Sequence, residues 1–134
     1  MVEQSAKSSG VRILIVDDEE EIRELLSDFL EGAGFAVAVA KTGNEALLQA
    51  KQFSPQLILL DIILPDLDGI SVYESLRQNK TMAQIPVVFF SALAENMPPA
   101  FSRQTGFAPY ALIPKPVSTN LLIKEIKRLL EPVL

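Results

Sequence analysis

Apolar runs alternate with amphipathic segments along the chain from residue 11 onward. Each apolar run is short and rich in Val, Ile, Leu or Phe, as is typical of strands that are buried on both faces of a sheet. The predicted strands cover residues 11–16, 35–40, 56–60, 86–90 and 110–113. The segments between them carry apolar residues at helical spacing. The pattern therefore predicts five strand–helix repeats.

Capping and breaking residues indicate where the helices begin and end. Oxygen-bearing side chains favour the N-cap position, and glycine favours the position just after a helix. The first predicted helix covers residues 19–31 and ends at Gly32 or Gly34, and the second begins at the capping pair Thr42 and Glu45 and runs to about Lys51. Asp68 caps the third predicted helix and Ser118 caps the fifth. The fourth, between Pro99 and Gly106, is expected to be irregular.

Five such repeats imply a parallel sheet, because right-handed crossovers place a helix between successive parallel strands. We expect an α/β fold of the flavodoxin-like (βα)5 kind, with strand order 2-1-3-4-5 and helices on both faces. The first, third and fourth strands are the most apolar, which fits interior positions. Residues 1–10 are small and polar and predict a flexible leader, so the domain is expected to cover residues 11–131.

Composition excludes several classes of function. The 134 residues include no cysteine and no histidine, which removes thiolate sites, most zinc sites and histidine acid–base chemistry. The net charge of −5 argues against a nucleic-acid surface. No apolar run approaches the roughly 20 residues that a membrane-spanning helix needs, and no signal peptide is evident. We therefore expect a cytoplasmic protein that binds neither nucleic acid nor membrane.

Polar side chains follow four of the predicted strands. Asp17 and Asp18 come after the first strand, Asp61 after the third, Ser91 after the fourth and Lys115 after the fifth. Because the carboxyl ends of parallel strands share one edge of the sheet, these side chains are expected to meet in one crevice.

This set of side chains indicates phosphoryl chemistry. Three neighbouring carboxylates repel one another, and a divalent cation with oxygen ligands, Mg²⁺ or Mn²⁺, removes that repulsion. A carboxylate can also attack phosphorus and form an aspartyl phosphate. The phosphoryl oxygens would then need positive charge from the metal and Lys115, and a hydrogen bond from Ser91.

Four motifs, VRILIVDDEE, LILLDIILPDLDG, PVVFFSA and IPKP, occur in this order. Together they resemble the four signatures of bacterial response-regulator receiver domains, from about Val11 to Leu130. The resemblance implies a phosphorylation-dependent switch in a two-component phosphorelay, with Asp61 as the phosphoacceptor. The implied donor is a sensor histidine kinase or a histidine phosphotransfer protein. A receiver is not an independent enzyme, although it assists its own phosphoryl transfer and dephosphorylation.

The resemblance also implies a role for each residue of the crevice. The implied direct metal ligands are Asp18, Asp61 and the backbone carbonyl of Ile63, with Asp17 acting mainly through water. Ser91 and Lys115 are the implied phosphoryl contacts, and the Lys115–Pro116 bond is expected to be cis.

The sequence departs from the family pattern near the output surface. Receivers commonly carry an aromatic switch residue three positions before the lysine, where this chain has Leu112. Tyr110 lies two residues earlier, on the same face of the strand, so either Tyr110 replaces it or the aromatic coupling is absent. The signal is expected to reach a downstream protein through the face formed by the fourth helix, the fifth strand and the fifth helix. In receivers, the residues two positions after the phosphoacceptor and two after the serine help set the access of water to phosphorus. Here they are Ile63 and Leu93, both apolar, so the resemblance implies a long-lived phosphoryl group.

Simpler interpretations apply to some acids. Asp66 and Asp68 are expected to be turn and capping residues, and Glu19 to Glu21 a solvated first turn of a helix.

Two other functions are alternatives to a phosphorylation switch. The first is an aspartyl-phosphate hydrolase, which is disfavoured because such enzymes usually need a second acid two residues after the nucleophile, where this chain has Ile63. A receiver-like interaction module that never turns over phosphate is the other alternative. The sequence leaves open whether the domain stands alone or belongs to a longer protein.

Overall fold

A computed structural model describes residues 10–92 and 110–131. The described elements are β1 Arg12–Val16, α1 Glu20–Gly32, β2 Ala36–Ala40, α2 Gly43–Phe53, β3 Leu57–Asp61, α3 Gly69–Arg77, β4 Val87–Ser91, β5 Tyr110–Pro114 and α4 Thr119–Leu130. Helix α4 is therefore the fifth helix of the sequence prediction. The predicted fourth helix, Leu93 and most of the predicted leader lie outside the described residues, as does the side chain of Tyr110. No helix in the described ranges is long and apolar enough to cross a membrane.

The five strands form one parallel sheet in the order β2-β1-β3-β4-β5. This order confirms the flavodoxin-like prediction. Every residue of β3 and β4 is buried, because the sheet is covered on both faces. One core cluster joins the sheet to α1 and α4, and the other joins it to α2 and α3.

Successive apolar side chains of β1 belong alternately to the two core clusters. Ile13 and Ile15 belong to the cluster that contains α1 and α4, whereas Leu14 and Val16 belong to the cluster that contains α2 and α3. Successive side chains of a strand point to opposite faces of the sheet, so a continuous apolar run supplies both cores. The same run brings Asp17 to the carboxyl edge of the sheet.

Three predicted N-caps are confirmed by hydrogen bonds. The side chains of Thr42, Asp68 and Ser118 each accept a hydrogen bond from a backbone N–H three residues later. Glu45, in the first turn of α2, also reaches back to the residue before the N-cap and accepts a hydrogen bond from the backbone N–H of Lys41 at 2.7 Å. These caps fix the start of α2, α3 and α4.

The loop between β3 and α3 is tied to a second helix by Asp66. Its carboxylate accepts hydrogen bonds from the backbone N–H groups of Asn44, at 2.9 Å, and Gly43, at 2.7 Å. These two hydrogen bonds lower the pKa of Asp66. Asp66 therefore has the structural role that the sequence predicts, but it caps α2 rather than its own turn.

Gly69 marks the closest approach of α3 to the end of β3. Its backbone N–H donates to the carbonyl of Ile62 at 2.7 Å. A Cβ atom at this position would collide with the backbone carbonyl oxygen of Asp61 and lie 2.8 Å from the Cα of Ile62. Backbone atoms of a packed strand end cannot move aside easily, so the absence of a side chain is required here.

We therefore expect Gly69→Ala to lower the free energy of unfolding by about 1–3 kcal/mol, as overpacking does in other cores. The measurement is the midpoint of urea unfolding. Gly32→Ala is the matched control, because a Cβ atom there meets nothing within 4 Å. Equal midpoints for Gly69→Ala and wild type would contradict the close approach.

Candidate functional site

The predicted site residues meet at the carboxyl edge of the sheet. Asp17 and Asp18 directly follow β1, Asp61 is the last residue of β3 and Ser91 is the last residue of β4. Lys115 directly follows β5, and its backbone N–H donates to the carbonyl of Ser91 at 3.1 Å. The Lys115–Pro116 bond is cis, as expected.

Burial separates these polar residues into an interior group and a rim. Asp17 and Ser91 are fully buried and Asp61 is 3% exposed, whereas Asp18 is exposed. Within the described residues, no other polar or charged residue is buried. Such burial is unfavourable unless partners are supplied, so the site must contain compensating charge.

Lys115 supplies that charge. Its Nζ lies 3.0 Å from Asp61 Oδ2, 3.1 Å from Asp17 Oδ2 and 3.2 Å from Glu19 Oε1. Burial alone would lower the pKa of Lys115, but the hydrogen bonds and charges of Asp61 and Asp17 outweigh burial and raise it. The ammonium therefore stays protonated throughout the physiological range and lies between the carboxylates.

Asp17 is the less compensated of the two buried carboxylates. Burial raises its pKa, and the charge of Asp61 adds to the effect, while the backbone N–H of Glu19 and the ammonium of Lys115 oppose it. The N–H of Glu19 donates to Asp17 Oδ1 at 2.8 Å. Asp17 Oδ2 accepts no hydrogen bond within the described residues and has only the ion pair with Lys115.

The three acids fit a divalent cation. One carboxylate oxygen from each of Asp17, Asp18 and Asp61 lies within 4.8 Å of the others. The buried Asp17 Oδ2 has no hydrogen bond to lose on coordination. An all-oxygen donor set with several negative charges is the kind that Mg²⁺ and Mn²⁺ accept.

An open cleft of about 400 Å³ gives access to this cluster. Ile63 lies at its rim with its side chain 53% exposed, and its backbone N–H donates to Asp61 Oδ1 at 3.1 Å. The two oxygens of Asp61 are thus held by different groups, one by a backbone N–H and the other by Lys115. The residues lining the cleft are Asp18, Glu19, Asp61, Ile63, Ser91, Ala92 and Lys115.

Glu19 is a member of the site that the sequence interpretation missed. It was expected to lie in a solvated first turn, but its carboxylate accepts a hydrogen bond from Lys115 Nζ. The one feature of the sequence that could have indicated a role for Glu19 in the site is its position directly after Asp17 and Asp18. A glutamate there resembles any acidic residue at the start of a helix.

Leu112 occupies the position where receivers commonly have an aromatic residue. It is half-buried beside Phe89, its partner in the register of β4 and β5, and it packs against the core cluster that contains α3. The alternative that Tyr110 replaces the switch aromatic involves a side chain outside the described set, so it stays a prediction.

Comparison with known proteins places this geometry in a family. The model of the response regulator receiver domain matches residues 13–127. The chain is 41% identical over 118 residues to the alkaline phosphatase synthesis transcriptional regulatory protein PhoP of Bacillus subtilis, covering 87% of this chain and 48% of that protein. The chain thus spans about half the length of the curated relatives it matches.

Solved structures agree with this match. A sensor protein from Polaromonas sp. JS666 has a TM-score of 0.83 at 30% identity, covering 93% of this chain and 99% of that chain. The signal receiver domain of a signal transduction histidine kinase from Syntrophus aciditrophicus has a TM-score of 0.78 at 29% identity, with 92% of each chain covered.

The sheet order and the acidic crevice at its carboxyl edge define a flavodoxin-like α/β domain with a candidate site for a divalent cation. The chain belongs to the response regulator receiver domain family. It is a signalling switch of the phosphorelay kind.

The raised pKa of Asp17 can be tested by stability measurements on the metal-free protein. Because folding raises its pKa above the ordinary value of 3.8, the ionised carboxylate destabilises the fold, and this penalty develops as pH rises through the folded-state pKa. In the presence of a chelator, Asp17→Asn is therefore expected to raise the melting temperature at pH 7. The gain should shrink as pH falls through the folded-state pKa and disappear below the ordinary value of 3.8, where wild-type Asp17 becomes protonated in both states.

Asp18→Asn is the matched comparison, because it removes an exposed carboxylate from the same cluster. We expect a smaller gain in melting temperature than for Asp17→Asn. A lower melting temperature for Asp17→Asn at pH 7 without metal would mean that the ion pair with Lys115 outweighs burial.

Proposed function

We propose that Asp61 accepts the phosphoryl group and that Ser91 and Lys115 contact it. The observation that carries the proposal is the position of Asp61. It ends the central strand of the sheet, and of the three described acids, Asp17, Asp18 and Asp61, it alone both lines the cleft and pairs with Lys115 Nζ, at 3.0 Å. A nucleophile with a cation beside it is suited to an incoming phosphoryl group, whose oxygens carry negative charge.

The proposed metal ligands are Asp17, Asp18, Asp61 and the backbone carbonyl of Ile63, for Mg²⁺ or Mn²⁺. The proposal is supported by the spacing of the three carboxylates and by the Asp17 oxygen that accepts no hydrogen bond in the described residues. When bound, the cation would neutralise the acids and the charge on the phosphoryl oxygens. Asp17 and Asp18 would hold the cation next to the carboxylate of Asp61.

In the proposed transfer, a carboxylate oxygen of Asp61 forms the new bond to phosphorus. The bond from phosphorus to the donor nitrogen of a phosphohistidine breaks, and the leaving imidazole keeps the electron pair. With acetyl phosphate, the bond to the donor oxygen breaks and acetate leaves. Lys115, which already contacts Asp61, is placed to hold one of the phosphoryl oxygens, and Ser91 to donate a hydrogen bond to another.

The proposed donor is a sensor histidine kinase or a histidine phosphotransfer protein. The likeness to the receiver domain of a histidine kinase supports a phosphohistidine source. We propose that a downstream protein binds the face formed by the fourth helix of the sequence prediction, β5 and α4, where α4 is the fifth predicted helix. The relative in Bacillus subtilis is a transcriptional regulatory protein, but we propose no direct nucleic-acid contact for this chain, whose net charge is −5.

Three further features belong to the same proposal. The chain assists its own phosphorylation and dephosphorylation and is not an independent enzyme. It acts in the cytoplasm, without binding a membrane. Residues 1–10 are a leader, and residues 11–131 are the receiver domain.

Asp61→Asn is expected to abolish phosphorylation, because an amide oxygen is a poor nucleophile toward phosphorus. The measurement is intact mass after incubation with Mg²⁺ and acetyl phosphate, in which wild type should gain one phosphoryl mass. Asp28→Asn is the control, since Asp28 is an exposed acid on α1. A phosphoryl mass that persists in Asp61→Asn would remove Asp61 from the proposal.

Ile63→Asn is expected to speed the loss of the phosphoryl group. Ile63 lines the cleft with an apolar side chain, which cannot orient an attacking water and would shield the phosphoryl group. Decay of the phosphorylated mass after removal of acetyl phosphate measures the effect, and adding Leu93→Asn should increase it. Leu48→Asn is the matched control, because Leu48 is 52% exposed on α2 and does not line the cleft. Equal decay for Ile63→Asn and wild type would contradict the shielding.

A further inference from the structure

Glu19 occupies the N-cap position of α1 without acting as a cap. Its side chain makes no capping hydrogen bond, although a side-chain oxygen at this position usually accepts one from the first turn. The carboxylate turns instead toward the crevice and accepts a hydrogen bond from Lys115 Nζ at 3.2 Å, across 96 residues of sequence. The stability of the helix therefore does not explain the orientation of this side chain.

Three carboxylates surround the ammonium of Lys115, and two of them, Glu19 and Asp61, accept its hydrogen bonds. A lysine ammonium carries three N–H donors. Three carboxylates, from Asp17, Glu19 and Asp61, lie within 3.2 Å of Nζ. A phosphoryl oxygen on Asp61 would therefore compete with these carboxylates for the ammonium of Lys115.

The three carboxylates differ in what their release would require. Asp17 Oδ2 is buried and has only the ion pair with Lys115, so its release would leave a buried charge without a partner. Asp61 itself carries the phosphoryl group. The side chain of Glu19 is 61% exposed, so water can replace Lys115 at its carboxylate with little loss.

We propose that Glu19 is a positioning residue, which holds Lys115 in the resting site and is displaced from it by the phosphoryl group. This inference rests on the proposed function of Asp61 as phosphoacceptor. The Glu19–Lys115 pair stabilises the resting state and opposes the phosphorylated one, both by occupying a donor of Lys115 and by placing a negative charge at the mouth of the cleft. The free energy by which this pair disfavours the phosphorylated state should equal that of an exposed ion pair.

The first test is the affinity for beryllofluoride, which mimics a phosphoryl group on an aspartate. It is measured by titration of amide resonances of the full chain at saturating Mg²⁺. Glu19→Gln should lower the dissociation constant about two- to fivefold, the range expected for loss of an exposed ion pair. Glu20→Gln is the matched control, because Glu20 is an exposed acid of the same turn, and no ion pair joins it to Lys115 in the described residues. It should leave the constant close to the wild-type value.

The second test observes Lys115 itself. With ¹³C-labelled lysine, the order parameter of the Lys115 ε-methylene reports how firmly the ammonium is held. In the metal-free resting state, Glu19→Gln should lower this order parameter relative to wild type. In the beryllofluoride complex the two proteins should be alike, because Glu19 no longer holds the lysine there.

The outcomes separate this inference from the proposed function. If wild type did not bind beryllofluoride, the role of Asp61 would be wrong, and this inference with it. If wild type bound but Glu19→Gln bound equally or more weakly, only the displacement of Glu19 would be wrong. Equal gains for Glu19→Gln and Glu20→Gln, or an unchanged order parameter for Lys115, would assign the effect to net charge and overturn the inference.

Discussion

Two buried carboxylates, Asp17 and Asp61, share the ammonium of Lys115, and the functional edge of the sheet depends on this contact. The distances of 3.1 and 3.0 Å place the cation between two anions in a partly desolvated crevice. Water screens poorly there, so each charge depends on the others more strongly than on a surface. A change in the charge of one member must therefore alter the positions that the others prefer.

The parallel sheet makes this contact possible. Asp17, Asp61 and Lys115 come from three different strand ends, and register brings those ends to one edge. The loop after β3 is fixed by the close approach of Gly69 to Asp61 and by the capping of α2 by Asp66. Asp18 and Glu19 are instead exposed at the rim of the crevice, so the packed core does not hold their side chains.

Much of this arrangement could be predicted from the sequence because its causes are local. Apolar runs predicted every strand to within a residue at either end, and short oxygen-bearing side chains predicted three N-caps that the structure confirms. The meeting of the acids with Ser91 and Lys115 followed from one topological rule, that parallel strands end at the same edge.

The features that the sequence did not predict depend on side chains that reach distant elements. Asp66 caps a helix that begins 23 residues earlier in the chain, and Glu19 contacts a lysine 96 residues later. Both side chains have a plausible local role, in a turn and in a first helical turn, and composition cannot distinguish that role from the distant one. The exposed position of Ile63, by contrast, follows from its place just beyond the buried strand β3.

The most direct test of the central claim is chemical mapping of the phosphorylated residue in the wild-type chain. Borohydride reduces an aspartyl phosphate to homoserine, and tandem mass spectrometry of the peptides then locates that residue. After phosphorylation with Mg²⁺ and acetyl phosphate, we expect homoserine at position 61 and at no other aspartate. Homoserine at position 17 or 18 would contradict the account, because the nucleophile would then be one of the acids that we assign to the metal.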